Sequence, residues 1–97
     1  MHNEDDLAFP DAESSERLHL EIEQKYRVTK PFVDADGKRH TTGEEWVFTG
    51  SKFSRFEDEY IISIRLTSGA FESFGLICEE DKQYEIIRNF REYVTRI

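Results

Sequence analysis

Residues 60–66 read Tyr60-Ile61-Ile62-Ser63-Ile64-Arg65-Leu66, and this stretch restricts the fold more than any other in the chain. Tyr60, Ile62, Ile64 and Leu66 share one parity, which is the period-two pattern of a strand with one buried face. Ser68-Gly69 supplies a tight turn into a second run near 70–78. There Phe74, Leu76 and Cys78 alternate with Ser73, Gly75 and Ile77. Two alternating runs joined by a short Gly-containing connection predict an antiparallel hairpin. Its apolar face then has to be covered by the rest of the chain.

Two further strands are predicted upstream. Leu18, Leu20, Ile22, Tyr26 and Val28 alternate with Arg17, His19, Glu21, Glu23, Lys25 and Arg27. The same residues also fit a helix capped by Ser14 or Ser15 and carrying Leu18, Ile22 and Tyr26 at four-residue spacing. The pattern is read as a helical turn or extended lead-in over 17–23, then a strand over about 24–31 that ends at Pro31. Asp34-Ala35-Asp36-Gly37-Lys38 is turn chemistry. Glu45-Trp46-Val47-Phe48-Thr49 alternates again and stops at Gly50, and residues 51–58 read as a loop holding Phe53 and Phe56.

At the C-terminal end the period changes. Ile87, Phe90, Val94 and Ile97 follow helical spacing, with acids Glu79, Glu80 and Asp81 leading and Arg88, Arg91 and Arg96 trailing, an order that complements the helix dipole. A helix over about 81–95 is expected. The fold class is therefore mainly β (α+β): a small antiparallel sheet or a partly open SH3-like barrel of four to five strands, with a C-terminal helix closing one end or face.

Charge sets the domain boundary. Of 21 acidic residues, Glu4, Asp5, Asp6, Asp11, Glu13 and Glu16 fall in residues 1–16, which hold no Lys or Arg. Residues 17–97 carry fifteen acids and thirteen bases, a net of only −2 within the chain's −8. Residues 1–16 are read as a flexible acidic tail, with Leu7-Ala8-Phe9 its one apolar cluster, and 17–97 as a single domain. The apolar fraction of 37% is low, but an aromatic fraction of 13% provides core area. No run approaches the roughly 18 apolar residues of a membrane helix, and no signal pattern opens the chain. A lone Cys78 cannot form an internal disulfide, so a cytoplasmic setting is expected. The negative charge disfavours nucleic acid as a partner.

Catalytic chemistry is hard to find. Asp34-x-Asp36-Gly37 resembles a calcium loop, but with Gly37 at the sixth position, Phe32 stands at the first and Gly43 at the twelfth, so both anchoring ligands fail. His2, His19, His40 and Cys78 follow no metal-ligand spacing. Cys78 shares parity with Phe74 and Leu76 and reads as a small buried hydrophobe. No Gly-x-Ser-x-Gly elbow and no Gly-rich phosphate loop occurs. No enzyme activity, metal or cofactor is therefore expected. Two candidate sites remain. One is a cluster of His40, Asp34 and Glu44 flanking one turn. The other is an aromatic patch, with one or two of Phe53, Phe56 and Phe71 at the surface beside Lys52, Arg55 and Arg65.

The run Tyr26-Arg27-Val28-x-Lys30-Pro31-Phe32-x-Asp34-x-Asp36-Gly37-x-x-His40-x-x-Gly43-Glu44-x-Trp46-x-Phe48-x-Gly50-x-x-Phe53 resembles a family of small bacterial domains of unknown function. The resemblance spans about residues 18–97, including an Ile86-Ile87 core step and Tyr93 in the last helix. It departs at residues 54–59, where family members favour a Pro-Tyr-Asp-Asp-Gly turn. It implies a bacterial origin and an independent fold, and no activity, cofactor or catalytic residue comes with it.

The functional expectation is a non-catalytic protein-binding module, of inhibitor or immunity type, for a basic protein. One alternative is a small-ligand or nucleotide-binding barrel using Trp46 or the loop aromatics with Arg65. The other is a metal-dependent enzyme at His40, Asp34 and Asp36. A monomer or weak homodimer fits an exposed strand edge.

Overall fold

A computed structural model describes residues 12–97. Its elements in chain order are α1 (Ala12–Leu18), β1 (Lys25–Val28), β2 (Phe32–Val33), β3 (Arg39–His40), β4 (Glu45–Ser54), β5 (Glu59–Leu66), β6 (Phe71–Ile77), α2 (Asp81–Arg88), α3 (Phe90–Tyr93) and β7 (Val94–Arg96). Five strands form one antiparallel sheet in the order β6-β5-β4-β1-β7, and β2 and β3 pair as a separate hairpin. The sheet is open, with β6 and β7 at its edges. Of the two architectures the sequence allows, the small antiparallel sheet forms and does not close into a barrel.

The β5–β6 hairpin forms as the alternation predicts, in a register that pairs Ile62 with Phe74 and Tyr60 with Leu76. On the same face, Tyr26, Val28, Trp46, Phe48 and Ile64 are buried. Leu18, Phe32, Ile87 and Phe90 pack onto them to complete the core. Trp46 and Phe48 are 0% exposed, which puts the bulkiest apolar groups where each gains most from leaving water.

Three boundaries differ from the sequence reading. First, β4 runs on to Ser54 through the stretch expected to be a loop. A register shift between Phe48 and Gly50 inserts one residue, so the buried parity changes from Trp46 and Phe48 to Ser51 and Phe53, opposite Ile62 and Tyr60. Second, the C-terminal helix stops at Arg88. Asn89 leaves helical geometry at φ −119° and ψ 31°, and its Nδ2 donates to Glu85 O at 3.1 Å. After one more turn, Val94–Arg96 becomes a strand whose residues face Val28, Arg27 and Tyr26. Pairing the open edge of β1 outweighs the helical spacing, and Val94 stays buried.

Third, helix α1 occupies residues assigned to the acidic tail. Ser14 and Ser15 are buried, and their hydroxyls lie 2.9 and 2.8 Å from Ser51 Oγ. Polar side chains of this kind enter a core when their hydrogen bonds are met there. The helix therefore anchors on the small Ser51 that the β4 register shift turns inward. The expectation of a flexible tail otherwise falls on residues 1–11, outside the described residues. Among those described, no helix is long and apolar enough to cross a membrane.

One carboxylate is strained by its position. Burial, and then the charges of Glu57, Asp36 and Asp34, hold the Glu59 carboxyl above its ordinary value of 4.5. A side-chain Cβ at position 75 would collide with the Glu59 carboxylate, so Gly75 makes room for it. A raised value means that the folded chain binds this proton more tightly than the unfolded chain. Stability is then unpenalised below 4.5 and falls as pH rises through the folded value. Glu59→Gln is expected to melt higher than the parent near neutrality, with the difference vanishing below 4.5, in paired thermal unfolding at the two pH values. An equal gain at both would show that charge is not the cause.

Candidate functional site

The β2–β3 hairpin turns on Asp34. Its Oδ1 accepts from the backbone N–H of Asp36 at 2.9 Å and of Lys38 at 3.0 Å, while Gly37 takes φ 86°. That is a carboxylate closing its own turn, with glycine supplying the left-handed residue. The other oxygen, Oδ2, lies 2.8 Å from His40 Nε2, and His40 Nδ1 lies 2.8 Å from Glu44 Oε2. Trp46 Nε1 donates to the same Glu44 oxygen at 3.1 Å. Phe32 stacks on the imidazole at a centroid distance of 4.6 Å, and Phe74 lies 4.5 Å away.

The structure thus brings His40, Asp34 and Glu44 together. Their geometry suits a structural latch. His40 is 2% exposed and Asp34 3%, so solvent and substrate have almost no access to the ring. Both ring nitrogens are engaged by carboxylate oxygens, which leaves neither free to meet a ligand. A ligating lone pair is directed to no shared point, and among the described residues no group of three His, Cys, Asp or Glu is placed to hold a metal ion.

The second candidate set does not assemble. Phe53 is partly buried, packed against the core and tilted on Tyr60 at 5.0 Å. Arg65 lies opposite Phe71 across the β5–β6 pair and forms an ion pair with Glu23 at 3.1 Å. Arg55 and Phe56 sit in the β4–β5 turn at the other end of β5, roughly 20 Å away at the rise of a strand. As expected, two of the three loop aromatics are exposed: Phe56 by 89% and Phe71 by 71%.

Phe56 lies in an ordered turn. Asp58 adopts φ 52°, and its carbonyl accepts from Cys78 N at 2.8 Å, tying the turn to the end of β6. Glu57, Glu79, Glu80 and Asp81 around this junction are exposed or nearly so. Burial first, and the neighbouring Asp58 charge second, push the Cys78 thiol above its usual value, which makes it a poor nucleophile.

One feature had no signal in the sequence. A shallow cleft of about 650 Å³ separates the β2–β3 hairpin from α2 and is lined by Pro31, Phe32, Val33, Lys82, Gln83 and Tyr93 among others. Gln83 bridges its base: Nε2 donates to Val33 O at 2.7 Å, and Oε1 accepts from Ile77 N at 3.2 Å. Gln83 shares the buried face of α2 with Ile86 and Ile87, and what its polar amide does there shows only once the hairpin is placed beside it.

No family model matches the chain, and no curated protein matches it. Among solved structures it is similar to an integron cassette protein from the mobile metagenome of Vibrio cholerae. The two are 23% identical, with a TM-score of 0.75 over 80% of this chain and 86% of that one. At that identity the likeness is one of fold.

Proposed function

We propose that this chain is a non-catalytic protein-binding module that presents Phe56 to a basic partner. The observation that carries the reading is a phenylalanine 89% exposed in a turn fixed by a backbone hydrogen bond. An isolated aromatic of this size leaves a large apolar area in water, and such side chains are the common anchors of protein interfaces. The acids around the turn supply its electrostatic frame, which steers encounter with a positively charged surface. A sealed His40 cluster leaves the best-placed polar groups without access to substrate, which supports binding over catalysis. The cleft beside Gln83 has the volume of a small-ligand site, but both ends of that amide are engaged by backbone.

The test is photo-crosslinking in the full chain, with benzoylphenylalanine at position 56 or, as control, at exposed Tyr84. Lysate of the source organism supplies the partner. The expected product is one basic protein cross-linked from position 56, captured in salt-sensitive fashion by the parent and about tenfold less by Phe56→Ser. Equal labelling from positions 56 and 84, or capture unaffected by Phe56→Ser, rules the reading out.

A further inference from the structure

β6 is an edge of the sheet, and its outer side is closed along only half its length. Leu66 N donates to Ala70 O and Cys78 N donates to Asp58 O, both at 2.8 Å. These two bonds bracket the β5–β6 register and direct the backbone groups of Glu72, Phe74 and Leu76 toward β5. The groups of Phe71, Ser73, Gly75 and Ile77 consequently point away from it. At the far end they are met: Gly75 O accepts from Ala35 N at 2.8 Å, and Ile77 N donates to Gln83 Oε1 at 3.2 Å. Phe71 and Ser73 have no backbone partner on that side among the described residues.

We propose that this open stretch pairs with the same stretch of a second copy, antiparallel about Glu72, joining two five-stranded sheets into one of ten strands. Three features favour a second copy over a longer extended peptide. Length is the first. Ala35 blocks the edge at Gly75, and the Ser68–Gly69 turn ends it on the other side, so a long strand has nowhere to run. A second β6 carries the same three-residue opening, and centring the pair on Glu72 sets Phe71 of each copy opposite Ser73 of the other. Four backbone hydrogen bonds then satisfy the four outward N–H and four outward C=O groups as far as an antiparallel pair allows.

The second feature is apolar. In this register the two Phe71 rings become diagonal neighbours on one face, about 7–8 Å apart at Cα, which is within reach of aromatic side chains. Each would cover part of the surface that leaves Phe71 71% exposed in one copy. The third is charge. The two Glu72 side chains meet at the dyad, where like charges would repel. Each is held by Lys38 of its own chain at 3.0 Å, so four charges of zero net surround the axis.

This interface is independent of Phe56, and it predicts weak, concentration-dependent association. Sedimentation equilibrium of the full chain is expected to show the average mass rising from 11.5 kDa toward twice that value between about 10 µM and 1 mM. Ser73→Pro removes an N–H that the chain's own ladder does not use, so it should stay folded and remain monomeric throughout. Phe71→Lys, at an exposed position, is a second arm and should weaken association about tenfold. Phe56→Ser should leave it unchanged. A parent that stays at monomer mass to 1 mM overturns the proposal. So does a parent dimer that survives both Ser73→Pro and Phe71→Lys.

Discussion

Replacing His40 with alanine is expected to cost about 3–5 kcal/mol, because it removes a buried aromatic ring and strands the polar group bonded to it. The loss has two parts. Asp34, 3% exposed, keeps its two backbone donors on Oδ1 but loses the partner 2.8 Å from Oδ2. Phe32 and Phe74 also lose the ring packed at 4.6 and 4.5 Å, leaving a void. Against a total stability of about 5–15 kcal/mol, this brings the domain near its folding threshold. Chemical denaturation read by tryptophan fluorescence checks it. His40→Gln should rescue little, because an amide oxygen would then face one carboxylate. Asp34→Asn should be milder, since Oδ1 can still accept from Asp36 and Lys38. A midpoint for His40→Ala within error of the parent would show that the latch carries no weight.

Trp46→Ala should be comparably severe, about 3–5 kcal/mol. The indole is 0% exposed, lies 5.9 Å from the Tyr26 ring and 6.1 Å from Phe74, and packs opposite Leu66 across the β4–β5 pair. Its Nε1 donates to the Glu44 oxygen that also faces His40. That shared oxygen makes the two substitutions neighbours in one network, so their costs should fall short of additive. Trp46→Phe separates the contributions: it keeps most of the packing and drops only the donor to Glu44, and should cost far less than alanine. Unfolding followed by circular dichroism serves here, since the fluorophore is lost. Full additivity of His40→Ala with Trp46→Ala would mean that the cluster is not a unit.

The β5–β6 hairpin was legible because one face is buried along its length, so Tyr60, Ile62, Ile64 and Leu66 repeat without interruption. The far half of β4 was not, because the inserted residue near Gly50 shifts the parity from even to odd and a fixed-period reading loses the strand there. Val94 satisfies helical spacing and strand alternation equally, and only the open edge of β1 decides between them. Ser14 and Ser15 look like tail because their burial depends on a third serine 36 or 37 residues away. The latch was half visible. Turn chemistry around Asp34 and the nearness of His40 and Glu44 suggested a cluster, while its burial followed from Phe32 and Phe74 arriving from separate strands. The exposure of Phe56 and Phe71 was legible from their loop and turn positions, whereas their separation was not, because the length of β5 between the two turns sets it.

The pairing of β7 with β1 has a kinetic meaning. Tyr26 and Arg96 face each other across the sheet, so this contact closes a loop of roughly 70 residues, whereas the β5–β6 hairpin closes across a turn of four. Loop-closure entropy delays long-range contacts, and a fold that depends on them forms more slowly than one built from local pairs. The order of events follows: the β4–β5–β6 meander has local contacts to assemble on, while β1 acquires its second neighbour only after residues 94–96 have left the ribosome. Until then β1 is itself an unpaired edge, and the interval before β7 docks is when this chain is most exposed to wrong partners.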